Sequence, residues 1–314
     1  MHKLILTFDI EDFINPNAVS ALRAVLELLN KYRLSAIFFI TGHMAEKLSN
    51  FPDILDLFKN HEIGFHSSGH SVRPTILEYT DVDSYQQAYS ASLERETAHI
   101  NPVTGKAEGK GGIYLLQNLF SQKRIKAYRA PGMSWTPPHL EALADLGIKF
   151  DFSSSIAASE PVHYRKIIFY PYTFIQQWDN SLFDYRILLY AILKSKVSVF
   201  DLHPTLYVNR RMWDSIYHKG NPHALKRIPA RPLKEVTSLF VGFELLLQKI
   251  RLLDNTKLIE VNPHLTVSTR DLIVSKSDVQ RYYETSVGWA RKFFMYNPRY
   301  IRNHFQEFFV NAHC

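Results

Sequence analysis

Short apolar runs alternate with amphipathic stretches along most of the chain. Residues 3–8 form a short, largely apolar and β-branched run and predict a buried strand that stops at Asp9-Ile10-Glu11-Asp12. Val19, Leu22, Val25, Leu26 and Leu29 then recur at helical spacing, with Asn17 or Ser20 as the expected cap. A second buried strand is expected over 35–40, ending in Thr41-Gly42, followed by a helix over 51–59 and a strand over 62–65. The pattern continues with helices over 84–97 and 138–146 and strands over 127–129, 149–152 and 197–202. A helix over 233–253 and a strand over 258–261 read as one last unit. Strand and helix alternating through short connections predict an α/β fold of βα units around a parallel sheet.

Composition adds exclusions. The 314 residues are 46% hydrophobic and 21% charged, a globular balance that excludes a disordered, collagenous or coiled-coil chain. Cys314 is the single cysteine, which excludes a disulfide scaffold and Cys-rich zinc sites. The most apolar later segments, 187–193 and 238–247, fall short of the roughly 18–20 residues of a membrane span. Acids interrupt the first apolar run too early for a signal peptide, so a cytoplasmic location is expected. The formal charge is +7, yet residues 1–204 carry 20 Lys and Arg against 21 Asp and Glu. Residues 205–314 carry 17 against 9, so the whole excess lies in the last third.

In parallel α/β folds the loops at the carboxyl ends of strands converge, and chemistry gathers there. The expected strands end in Asp9-Ile10-Glu11-Asp12, His66-Ser67-Ser68-Gly69-His70, Arg129-Ala130-Pro131-Gly132, Asp151-Phe152-Ser153-Ser154 and Asp201-Leu202-His203-Pro204. His66 and His70 have a spacing that lets two imidazoles grip one metal, a weak signal alone that its place after a strand strengthens. Strand period 2 puts Asp9 and Glu11 on one face, suited to a cation ligand beside a proton acceptor. An acidic helix start complementing the helix dipole is the plain alternative. His203 titrates near neutral pH and suits a general acid, while Arg129 and Asp151 suit a charge-assisted pair that tunes a carboxylate.

Two stretches mislead. Residues 105–112 (Gly-Lys-Ala-Glu-Gly-Lys-Gly-Gly) suggest a phosphate loop, but only three residues separate Gly105 from Gly109 and no Ser or Thr follows Lys110. A flexible insertion is expected there. The apolar positions of 233–253 read as core packing rather than as a cofactor slot.

In order, these strand ends resemble the motif series of the polysaccharide deacetylase family (carbohydrate esterase family 4, the NodB-homology domain). The stretches Thr7-Phe8-Asp9-Ile10-Glu11-Asp12, Ala36-Ile37-Phe38-Phe39-Ile40-Thr41-Gly42, Asn60-His61-Glu62-Ile63-Gly64, Tyr128-Arg129-Ala130-Pro131-Gly132 and Leu202-His203-Pro204 carry the likeness. The resemblance implies a distorted (β/α) barrel over residues 1–262, with insertions near 99–125 and 205–232; residues 263–314, by composition, read as a basic, aromatic, helical extension. It implies a divalent metal, zinc first, held by His66, His70 and one carboxylate. Position 10 is Ile where the common pattern has adjacent aspartates; the i, i+2 spacing used by some members matches Glu11, with Asp12 in reserve. Asp9 matches the catalytic base, Arg129 the arginine that tunes it, Asp151 that arginine's partner, and His203 the catalytic acid. Gly132 stands where a backbone N–H helps hold the oxyanion, and Trp135 replaces the missing aromatic wall against the substrate.

The implied activity is N-deacetylation of amino sugars in a glycan or lipid-linked glycan precursor. Two rivals stand beside it: hydrolysis of another C–N bond, as in a deformylase or small amidase, and glycan binding by a vestigial site. Arg210, Arg211, Lys226, Arg227, Arg231, Arg291, Lys292, Arg299 and Arg302, interleaved with Trp213, Tyr217, Trp289, Phe293 and Phe294, suggest a docking surface for anionic lipid head groups or diphosphate-linked glycan at the inner membrane face. A merely solvated surface is the alternative. No nucleic-acid motif accompanies the charge, so no nucleic-acid partner is expected.

Overall fold

The structure, a computed structural model, describes residues 3–70, 82, 84–133, 135–153, 161–164, 166–170, 174–176, 197–212 and 227–252. Eight strands run parallel. In spatial order they are β10 (Phe174–Ile175), β11 (Val197–Leu202), β1 (Lys3–Ile10), β2 (Ile37–Ile40), β3 (Glu62–Phe65), β6 (Ala127–Tyr128), β7 (Phe150–Asp151) and β9 (Ile167–Phe169). β8 (Val162–Tyr164) adds antiparallel on β9. Among the described residues β10 and β8 do not pair, so the sheet curls into an open, distorted (β/α) barrel, as expected.

The curl has an apolar layer on each face. Leu4, Leu6, Phe8 and Ile10 point outward and join Phe38, Ile40, Phe65 and the covering helices in the larger core. Those helices include α1 (Asn17–Tyr32), α2 (Gly42–Leu48), α3 (Pro52–Leu57), α4 (Tyr85–Thr97), α5 (Ile113–Leu119), α6 (Pro137–Asp145), α7 (Thr205–Val208) and α8 (Leu233–Leu252). Inside the curl, Ile5, Ile37, Phe39, Ala127, Phe150, Phe152, Tyr170 and Val199 form a smaller plug. Each such side chain contributes roughly 1.5–3 kcal/mol when fully buried. The plug floors the barrel, and the polar positions above it open toward the strand ends. Gly64 in β3 lies opposite Phe39, and any Cβ there would run into the Phe39 ring.

Local chemistry sets the helix starts. Ser84, Thr41 and Thr136 cap α4, α2 and α6, each hydroxyl accepting from the backbone N–H three residues on. At α1 the expected cap is corrected: Pro16 holds that position with no side-chain cap, and the Asn17 amide donates to Asn209 Oδ1 at 2.7 Å. The helix expected over 51–59 divides into α3 and a 3₁₀ turn, Phe58–Asn60. α2 is too short for its period to show in the sequence.

The stretch expected as an insertion forms a hairpin, β4 (Ala98–Ile100) against β5 (Ala107–Lys110). The Gly111-Gly112 pair after it fits closely on the backbone of residues 96–99, where a Cβ would collide. No helix among the described residues is long and apolar enough to cross a membrane. The strand expected over 258–261 and the extension over 263–314 lie outside the described residues.

Candidate active site

Strand period decides which acids enter the barrel. Leu4, Leu6, Phe8 and Ile10 face the helices, so Ile5, Thr7, Asp9 and, one step on, Glu11 face the interior. Thr7 lies opposite Asp201 in the β1–β11 register, which runs Asp201–His203 alongside Thr7–Asp9. His66 directly follows β3, and Arg129 directly follows β6. All of these side chains are buried.

Two clusters result. In the first, Glu11, His66 and His70 each offer one ligand atom, all within 4.8 Å of one another. Glu11 Oε2 lies 3.2 Å from both His66 Nε2 and His70 Nε2. His66 Nδ1–H donates to the Arg129 carbonyl at 2.7 Å, which fixes the tautomer and leaves Nε2 turned toward Glu11. Asp12 stands outside this cluster. Its Oδ1 accepts from the Asn15 N–H at 2.9 Å and its Oδ2 from the Thr205 hydroxyl at 2.6 Å, tying the loop after β1 to α7.

The second cluster is Asp9, Asp201 and His203 around Arg129. Arg129 is fully buried, and its Nη1 donates to Asp9 Oδ1 at 2.6 Å and Asp201 Oδ1 at 2.7 Å. Its Nη2 donates to the Thr7 hydroxyl at 2.7 Å, and its guanidinium lies 4.5 Å over the Phe39 ring. The space that Gly64 leaves for Phe39 thus supports the arginine. Asp9 Oδ2 remains 3.7 Å from His66 Nε2 and 3.6 Å from His203 Nε2, joining the two clusters.

The electrostatics follow from burying acids, imidazoles and a guanidinium together. Burial opposes the charge on Glu11, but His70, His66 and His203 hold its carboxyl well below the usual carboxylate range. Burial pushes His70 down to about 4, so its lone pair is available for a cation at neutral pH. His203 resists burial: Asp201, Asp9 and Glu11 hold its imidazole above the ordinary value, favouring the protonated form. Burial lifts Asp201 to about 6, against the pull of Arg129.

Two expected roles need correction. The partner of Arg129 is Asp201, not Asp151. Asp151 accepts from the Ser153 N–H at 2.8 Å and the Ser153 hydroxyl at 3.0 Å, and that hydroxyl accepts from the Ala130 N–H at 2.7 Å. Asp151 therefore braces the loop after Arg129 from one shell further out. Trp135, expected to wall the substrate, is buried in the core with its indole 5.2 Å from the Phe169 ring. A side chain so enclosed presents no face to a glycan. Gly132 sits in a left-handed turn (φ 60°, ψ 21°) beside Met133 (φ 57°), a conformation that suits glycine.

Asp201 was the residue the sequence left without a role, although the signal was present: it lies in β11 two positions before His203, which follows the strand directly. Gln176 carried no such signal. Its Oε1 accepts from the His203 N–H at 2.9 Å and its own N–H donates to the Asp201 carbonyl at 2.8 Å, fixing the end of β11.

The first cluster fits a divalent cation. Glu11 Oε1 is buried without a hydrogen-bond partner, although a buried carboxylate oxygen normally has one. One carboxylate and two imidazoles form a donor set suited to zinc with an open position.

A family model described as polysaccharide deacetylase matches residues 2–150, a stretch that ends before Asp151, Asp201 and His203. No curated protein matches the chain. Among solved structures, a family 4 carbohydrate esterase from Bacillus anthracis aligns at 16% identity and a TM-score of 0.42, covering 81% of this chain and 79% of that one. A Streptococcus mutans CE4 esterase aligns at 15% identity and 0.44, covering 82% and 84%. A CE4-family pseudoenzyme from Bacillus anthracis aligns at 15% identity and 0.36, covering 64% of this chain and spanning 54% of that one's length.

Proposed function

Residues 2–150 belong to the polysaccharide deacetylase family, and from that premise we propose that the protein is a metal-dependent hydrolase that removes N-acetyl groups from amino sugars of a glycan or lipid-linked glycan. One observation carries the reading. Asp9 has one oxygen pinned by Arg129 at 2.6 Å and the other turned toward both His66 and His203. A carboxylate with one fixed oxygen beside a cation-ligating cluster and a protonated imidazole is placed to take a proton on one side of a scissile amide while the imidazole gives one on the other.

Glu11, His66 and His70 would hold the metal, zinc first. When bound, it supplies Lewis acidity toward a water molecule and the amide carbonyl. Asp9 takes the proton of the attacking water, with Arg129 fixing its orientation. The Gly132 N–H is the donor assigned to the oxyanion of the tetrahedral adduct. His203 protonates the leaving amine, so the C–N bond breaks to give acetate and a free amino sugar.

Docking of an anionic lipid or diphosphate-linked glycan belongs to the same reading. Of the basic residues named for it, Arg210, Arg211, Arg227 and Arg231 are described, and Arg210 and Arg231 share Glu235 at 3.3 and 3.2 Å. Lys226, Trp213, Tyr217 and the residues from Arg291 onward lie outside the described residues.

The test is acetate release from a panel of N-acetylhexosamine glycans, with and without added zinc. Release should require the metal and fall by about 10²–10⁴ in both Asp9→Asn and His203→Ala. Undiminished release by both variants, or none by the metal-loaded wild type, would sink the proposal.

A further inference from the structure

Behind the loop that carries His66 and His70 lies a buried network that the reaction does not use. Ser67 has a left-handed backbone (φ 59°), unfavourable for a residue with a Cβ, and it lies between the two imidazoles in sequence. The turn at Ser67 and Ser68 carries the chain from the end of β3 round to His70, whose Nε2 then reaches within 3.2 Å of Glu11 Oε2.

Glu96, at the end of α4, reaches both residues of that turn. Its Oε1 accepts from the Ser67 hydroxyl at 2.8 Å and its Oε2 from the Ser68 N–H at 3.2 Å. His139 Nε2–H donates to the same Oε1 at 2.7 Å, and the Tyr128 hydroxyl lies 2.8 Å from the Ser67 oxygen. On the other side, the Gly42 and His43 N–H groups donate to the Ser67 and Ser68 carbonyls at 3.0 and 3.2 Å. Those backbone bonds hold the carbonyls, whereas Glu96 is the charged group that grips the Ser67 side chain and the Ser68 N–H. Glu96 is almost fully buried, and its carboxylate is turned onto the ligand loop rather than into solvent.

We propose that Glu96 is a positioning residue for the metal site: its carboxylate, spanning Ser67 and Ser68, holds the left-handed turn that aims His66 and His70 together at Glu11. The inference rests on the reading of Glu11, His66 and His70 as metal ligands. In Glu96→Gln the side chain keeps its size but loses its charge, and the amide replaces both carboxylate contacts only if its NH₂ donates to the Ser67 oxygen and the His139 ring turns Nε2 into an acceptor. The charge-assisted grip on the turn weakens, and the imidazoles spread.

The experiment measures Zn²⁺ and Co²⁺ affinity of the full chain by chelator competition, with the visible absorption of bound Co²⁺ as a report on ligand geometry. Glu96→Gln should bind both ions about 10–100-fold more weakly, with an altered Co²⁺ spectrum. Adding Ser67→Gly, which takes φ near +60° without strain, should recover part of that affinity. Unchanged affinity and spectrum in Glu96→Gln would overturn the proposal, even if the metal-free variant melts earlier, because that pattern marks a purely structural group. Should Glu96→Gln not fold, Ser67→Ala, which removes the hydroxyl that Glu96 holds, is judged by the same affinity criterion. Failure of the wild type to bind either ion, or binding unaffected by Glu11→Gln, removes the metal site and this inference with it. Metal binding in the wild type with unchanged Glu96→Gln removes this inference alone.

Discussion

Replacing Arg129 with methionine tests the centre of the site. The variant keeps an unbranched apolar stem but strands Asp9 and Asp201, whose oxygens lie 2.6 and 2.7 Å from the lost guanidinium. Breaking a buried ion pair costs about 3–5 kcal/mol. A chain of this size then melts several degrees lower, at about 2 °C or more per kcal/mol. The loss should depend on pH. Asp201 already sits at about 6 through burial, with Arg129 pulling it down. Without Arg129 its carboxyl rises further. A carboxyl raised in the native state gives stability that is complete below its unfolded value and drains as pH rises through the native one. In metal-free Arg129→Met that drain should extend above pH 6, at up to about 1.4 kcal/mol per pH unit. Urea unfolding at pH 6, 7 and 8 measures it, in the wild type, Arg129→Met, Asp201→Asn, Asp151→Asn and the two double variants. Arg129 should couple to Asp201 by about 1–3 kcal/mol and to Asp151 by less. A loss under about 1 kcal/mol at pH 8, a pH-independent loss, or stronger coupling to Asp151 would refute the assignment of Asp201 as the arginine's partner.

Glu11→Gln should lose metal on dialysis, while Asp12→Asn should keep it and lose about 1–3 kcal/mol of stability through its broken bonds to Asn15 and Thr205; elemental analysis beside unfolding curves decides, and the opposite pattern would return the ligand role to Asp12. Burial lifts Asp151 to about 7, so the native protein gives up stability as pH rises from about 4 toward 7, by at most about 4 kcal/mol. Asp151→Asn should therefore compare more favourably with the wild type at pH 8 than at pH 5, and an equal difference at both would contradict the burial argument. Gly64→Ala should cost about 1–3 kcal/mol by driving a methyl into the Phe39 ring that underlies Arg129. Wild-type stability in that variant would show that the ring has room to move.

The sequence by itself determined the alternation of strands and helices, because buried strands and amphipathic helices write their burial into apolar periods of 2 and 3.6. It also determined which strand ends carry chemistry, and period 2 alone set Asp9 and Glu11 on one face. It could not rank Glu11 against Asp12, since both follow one strand; only the tertiary fold shows Asp12 saturated by Asn15 and Thr205 while Glu11 meets His66 and His70. The partner of Arg129 was hidden for a similar reason. Asp151 and Asp201 both end strands, and the choice depends on the β1–β11 register that lays Asp201 opposite Thr7. Trp135 illustrates the reverse error: an aromatic near a predicted site suits substrate or core equally until packing places it against Phe169. Glu96 and Gln176 left no trace in any motif, because their work is to hold other residues through side-chain bonds across long stretches of chain. Periodicity reports what a residue faces; which group it faces is decided only when the strands are laid side by side.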